Sequence, residues 1–173
     1  HSNIAGGKLN GAFGNCSNVA GGTANIACGL QSNVAGGYLN RAIGGYSNVA
    51  GGESNCANGS HSNVAGGELN YIGTNPALSG APDEPYPIGL SGHNAFIGGG
   101  ESNQAIGNCS SVVGGLSGTA SGKYSSVAGG YNNNASGNYS NVAGGKNNCA
   151  CGINSNVAGG YNNKACGGSD AVA

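Results

Sequence analysis

The chain has 173 residues, of which 6% are charged, a net charge of −1 and 38 glycines. With no basic stripe to neutralise phosphates it is not suited to nucleic acid, and no apolar run approaches the ~20 residues of a membrane span. Glycine at this density also opposes helix throughout.

From the amino end, the same words return at a fixed interval. Ser2, Ser17, Ser32, Ser47 and Ser62, and later Ser110, Ser125, Ser140 and Ser155, each open a unit of 15 residues. Such a unit is too short for a helix pair, and glycines at its positions 5, 6 and 13 do not follow the every-third spacing of collagen. The expectation is a solenoid of short strands and tight turns: an all-β, parallel β-roll of 15-residue coils with a flattened, narrow core. Coils cover 2–76 and 95–173, and 1–173 reads as a single domain. Between them, 77–94 ("ALSGAPDEPYPIGLSGHN") carries three of the four prolines and the pair Asp83-Glu84, and reads as an inserted loop.

Within the unit, position 3 is always aliphatic (Ile4, Val19, Val34, Val49, Val64, Ile97, Val112, Val127, Val142, Val157, Val172) and is the core column. Strand alternation then sends positions 1, 3 and 5 inward and 2 and 4 outward. A second strand carries Asn at 9, Ala at 11 and Gly at 13, with 10 and 12 outward. The repeated serines and asparagines are expected to stack as ladders, each bonding to backbone or to its copy in the next coil.

The stretches "SNVAGGYNNKACGG" (155–168) and "SSVAGGYNNNASGNY" (125–139) resemble the short Gly/Ala/Ser repeats in head domains of trimeric autotransporter adhesins and in some phage tail fibres. The half-unit Asn40-Arg41-Ala42-Ile43-Gly44 is similar to the β-roll antifreeze repeats of grasses. The resemblance covers nearly all of the chain outside 77–94. It implies a left-handed parallel roll and a role in adhesion, fibre building or ice binding.

No catalytic residues and no cofactor are expected. The histidines His1, His61 and His93 have no acid and nucleophile at a repeating spacing. "SGTASGKY" (117–124) lacks both the first glycine and the Ser/Thr of a phosphate loop.

Seven cysteines, Cys16, Cys28, Cys56, Cys109, Cys149, Cys151 and Cys166, are candidates for disulfides or cross-links rather than metal ligands, because no fourth ligand has a zinc spacing. Cys151 and Cys166 share position 12 of consecutive coils and should lie ~4.8 Å apart, close enough to bond. Cysteine as a small apolar filler fits badly with the outward reading of positions 10 and 12. An odd count leaves at least one thiol free or bonded to a neighbouring molecule.

Charges occur at positions 7, 10 and 14 but never at 2 or 4 of a complete coil. One face is therefore small and neutral: Asn3/Ala5, Asn18/Ala20, Asn33/Ala35, Asn48/Ala50, Asn63/Ala65, Asn141/Ala143 and Asn156/Ala158. No basic and then apolar segment opens the chain, so any secretion signal is expected to be already removed or never present. Both ends are in register with the repeat, which reads as joints for head-to-tail stacking. The expectation is an extracellular or surface structural protein. It would pack against copies of itself, as a filament or a homo-oligomer such as a trimer, with disulfide cross-links and a possible contact with a host or environmental surface. The alternative is an ice-binding solenoid using the same face.

Overall fold

The computed structural model describes residues 1–73 and 91–172. It is a parallel β-solenoid of 15-residue coils, and among the described residues there is no helix. Each coil contributes two strands of two residues, one at positions 2–3 and one at 10–11. The first set runs from β1 (Asn3–Ile4) to β21 (Ala171–Val172) as an eleven-stranded sheet, and the second set begins at β2 (Gly11–Ala12) and forms a ten-stranded sheet. Register is held column by column, Asn18 on Asn33 and Val19 on Val34. Position 7 adds a third line of single-residue bridges, from Lys8 on Thr23 to Lys146 on Tyr161. Chain direction never reverses between neighbours, so every strand after the first meets a copy of itself.

The core is as thin as the repeat implies. Val19, Val34, Val49, Val64, Val112, Val127, Val142 and Val157 are fully buried, and they face the equally buried alanines of position 11, such as Ala27, Ala42 and Ala150. At position 11 of the fifth coil, Ile72 replaces alanine, and at position 3 of the sixth Ile97 replaces valine; both are also fully buried.

Two expectations about the interior are corrected. Position 5 was assigned inward, but a Cβ built on Gly6, Gly21, Gly36 or Gly129 meets nothing within 4 Å, so this glycine faces open space. The close approach comes one residue later. At position 6, Gly37 has φ +90° and its missing Cβ would run into the backbone of Gly52 in the next coil, so no other residue fits there. The serine column is also not a ladder. Only Ser62 and Ser125 bond, to the carbonyls of Gly59 and Gly122, while the Oγ atoms of Ser17, Ser32, Ser47, Ser110, Ser140 and Ser155 have no partner among the described residues. Serine is held at position 1 because a small side chain must fit a buried turn, in which its own N–H donates to the glycine carbonyl three residues back, as in Ser17 to Gly14 at 3.1 Å.

The asparagine ladder at position 9 is present. Asn40 donates from Nδ2 to the carbonyls of Gly36 and Gly52 at 2.9 and 2.8 Å, and its Oδ1 accepts the N–H of Asn55 at 3.0 Å. One amide thus satisfies three backbone groups in a region with no room for water. The column is broken at Gly118, whose N–H is accepted by Asn103 Oδ1 at 2.8 Å but which offers nothing to the next coil. Replacing Gly118→Asn should extend the ladder and remove a flexible glycine from the unfolded chain. A gain of about 1 kcal/mol is expected, because the nearest atoms to the new Cβ are side-chain atoms 3.0 Å or more away. A lower midpoint in urea would show that Asn103 cannot move aside.

Among the described residues, twenty other than glycine hold a left-handed φ, all at positions 8 and 15. Each such residue costs about 1 kcal/mol in isolation. The conformation persists because it aims the N–H along the solenoid axis: Ala24 donates to Lys8 at 2.8 Å and Tyr46 to Leu30 at 2.7 Å. In the later coils position 8 becomes Asn132, Asn147 and Asn162, the residue type that tolerates this region best.

Of the expected loop, 77–90 lies outside the described residues. Gly92, His93 and Asn94 are described and complete the coil opened by Ser62: Gly92 stacks on Gly59 in the position-13 column, and Asn94 has the φ of 54° shared by position 15. The repeat therefore resumes at Gly92 rather than at Ala95.

Candidate functional face and thiol groups

The outward side of the first sheet is the candidate site. Asn3, Asn18, Asn33, Asn48 and Asn63 stand in one column, each Nδ2 donating to the Oδ1 of the next at 3.0, 2.8, 2.8 and 3.0 Å. Asn141 donates in the same way to Asn156 at 3.0 Å. Ala5, Ala20, Ala35, Ala50, Ala65, Ala143 and Ala158 form the exposed column beside them. All fourteen residues named for this face thus lie on one surface. Its continuity is interrupted at position 2 by Phe96, Ser111 and Ser126 and at position 4 by Gly98 and Val113. None of these carries a charge. Because each amide in the run is already bonded to its neighbours, the side chains have little rotamer freedom left to lose on contact.

The corners hold the exposed aromatic and charged groups. Tyr46 stacks on His61 with centroids 4.8 Å apart, and Tyr124 on Tyr139 at 5.1 Å. The Lys146 ammonium lies 5.4 Å from the ring of Tyr131 and 5.8 Å from that of Tyr161. These are contacts along the column between successive coils, so the tyrosines act as corner packing.

The cysteines divide into three situations. Cys151 and Cys166 form a disulfide with Cα atoms 4.6 Å apart, as column sharing predicts. Cys16 and Cys28 are free and exposed, and Cys109 and Cys149 are free and half-buried. Burial raises the pKa of Cys28, partly offset by the nearby Arg41 guanidinium.

Cys56 is a correction. Its position 10 points outward, yet it is only 6% exposed, and Asn58 at position 12 of the same coil only 2%. Cys56 is flanked in its column by Arg41 and Tyr71, so here a thiol does fill a covered space. Burial pushes its pKa up to about 12, outweighing Tyr71 and Arg41, which both favour the thiolate. The Tyr71 hydroxyl is likewise driven upward, first by burial and then by the neighbouring Cys56. It interacts with both Cys56 and Asn58 but makes no hydrogen bond of good geometry to a described residue.

Sequence reasoning missed this covered patch because the outward direction of a strand position says nothing about what lies above it. Among the described residues no group of three His, Cys, Asp or Glu side chains converges as a metal site, and no helix is long and apolar enough to cross a membrane. The chain matches no protein-family model, and no curated protein matches it either.

Proposed function

We propose that the chain is an extracellular structural subunit that associates with copies of itself through the Asn/Ala face. The observation that carries this reading is the amide ladder from Asn3 to Asn63 beside exposed alanines: a flat, uncharged, pre-ordered surface. Small side chains allow close approach, and amides carry both donors and acceptors, so a second copy is complementary to the first. The disulfide between Cys151 and Cys166 supports an oxidising compartment. The resemblance to adhesin heads and tail-fibre repeats supports the same class.

Size sets how the association would work. Eleven strands at ~4.8 Å make a face of about 48 Å, and a width of about 10 Å gives about 500 Å² per copy. That is below the ~800 Å² per partner of a stable pair. Strength must come from several copies or from cross-links, as in a fibre.

Placing charge on the alanine column is the direct test, since Ala35 and Ala50 are exposed and the asparagine ladder is untouched by their replacement. The double variant Ala35→Lys/Ala50→Lys should sediment as a monomer at concentrations where the parent associates, with its thermal midpoint unchanged. A parent protein that remains monomeric at high concentration contradicts the proposal. The alternative, ice binding, draws on the same regular flat face, and a monomeric parent that shapes ice crystals and loses this in the double variant would favour it.

A further inference from the structure

We infer that Cys149 and the Cys151–Cys166 disulfide form a self-complementary exchange site through which two copies become covalently joined without an external oxidant. The inference rests on the proposed self-association only in that a second copy supplies the attacking thiol; the contact it needs is on the second sheet, not on the Asn/Ala face of the first.

Column geometry leaves Cys149 without an intrachain partner. It is in register with Lys164 on one side and Asn134 on the other. Cys151 follows just past the two-residue strand Cys149–Ala150 and is already bonded to Cys166. A sulfur holds one disulfide partner at a time, so the bonded Cys151 leaves Cys149 a free thiol. Cys166 is diagonal to it, at about 8 Å. No other column pairs cysteines on adjacent coils: Cys16 stands below Gln31, Cys28 between Phe13 and Ile43, Cys56 between Arg41 and Tyr71, and Cys109 between Asn94 and Tyr124. The repeat therefore permits one disulfide and places a free thiol beside it on the same outward face.

That patch suits contact with its own copy. Cys149 and Cys151 are half-buried, Cys166 is exposed, and the preceding coil offers the exposed Asn134 and Ser136 in the same two columns. Lys164 is the only charge among these residues. A two-fold contact between two such patches brings the nucleophile of each copy to the electrophile of the other, since an isologous interface uses the same surface twice. In each half-reaction the Cys149 thiolate of one copy attacks Sγ of Cys166 in the other. The Cys151–Cys166 bond breaks, Cys151 leaves as thiolate, and it takes from solvent a proton equivalent to the one Cys149 released. One disulfide is lost and one is formed, so no oxidant is consumed. Cys166 is the expected target because it is the more exposed sulfur, and attack requires access along the S–S axis.

The full chain, purified with its disulfide intact, should be mixed as ¹⁴N- and ¹⁵N-labelled samples and held anaerobically at high concentration. It is then quenched with an alkylating agent and mapped by mass spectrometry without reduction. The expected result is a mixed-isotope peptide pair linking Cys149 to Cys166, with Cys151 alkylated in matching amount. Cys149→Ser should lose the covalent dimer while keeping the Cys151–Cys166 bond and its β-sheet circular dichroism. Cys16→Ser/Cys28→Ser should keep the dimer. A covalent dimer undiminished in Cys149→Ser, or a parent protein that yields only the intrachain bond, overturns the inference. If the parent associates in the presence of reductant yet never forms the Cys149–Cys166 link, the exchange site fails and the Asn/Ala face stands. If it neither associates nor cross-links, both fail.

Discussion

Val142→Asp should abolish the ordered stack around its coil. Val142 is fully buried between Val127 and Val157 and faces alanines that contribute no polar atom. A carboxyl group there has neither a partner nor space for water, and even in its neutral form its burial costs about 4 kcal/mol or more. The total stability of a domain this size is only about 5–15 kcal/mol. In a solenoid each coil touches only its neighbours, so the damage is local first: amide protection should fall from residue 125 to 169 before it falls at the far end. The control is Lys146→Asp at an exposed corner. It removes cation–π contacts to Tyr131 and Tyr161, at about 0.5–1 kcal/mol each at an exposed site. Thermal melting followed by circular dichroism, with hydrogen exchange, separates the two. Similar midpoints for both variants would mean that the inward column has been misassigned.

Glycine gives the second large effect, with opposite results at two positions of one repeat. A Cβ on Gly137 would strike the Gly152 carbonyl oxygen, with the carbonyl carbon at 2.6 Å. Both atoms are backbone, held by the same bonds that stack the coils, so neither can rotate aside. Gly137→Ala should cost about 3 kcal/mol, the upper range for overpacking, and lower the urea midpoint accordingly. Gly36→Ala meets nothing within 4 Å and its φ is not left-handed. It should be neutral or stabilise by about 0.4–1 kcal/mol through the unfolded chain. An equal loss in both would mean that the spacing between coils is not set by the position-13 glycines.

The contrast between these glycines marks where reading the repeat succeeded. A 15-residue period, an invariant aliphatic at position 3 and a recurring Asn at position 9 are enough to imply coils in register. Identical letters must then stack, because a parallel array places each residue on its own copy. The Cys151–Cys166 bond followed from the same rule. Position 5 was misread because strand alternation was carried through Ala35 to Gly36. The strand covers only positions 2 and 3, and after it the chain turns, so the period of two no longer applies. Serine was misread as a ladder residue because its hydrogen-bonding capacity was counted ahead of its size, whereas the turn that buries Ser17 uses its backbone N–H.

The period, the valine and alanine columns, the neutral Asn/Ala face and the one permitted disulfide all depend on spacing along the chain, and spacing is visible in the letters. The left-handed φ at Leu39 and Tyr46, the burial of Cys56 beside Arg41 and Tyr71, and the open space at Gly36 depend on where the backbone bends between short strands. Hydrogen bonds between coils set those bends. A residue such as Leu39 adopts an unfavourable conformation because its N–H then reaches Thr23 in the coil before it, a balance that exists only once the coils are stacked.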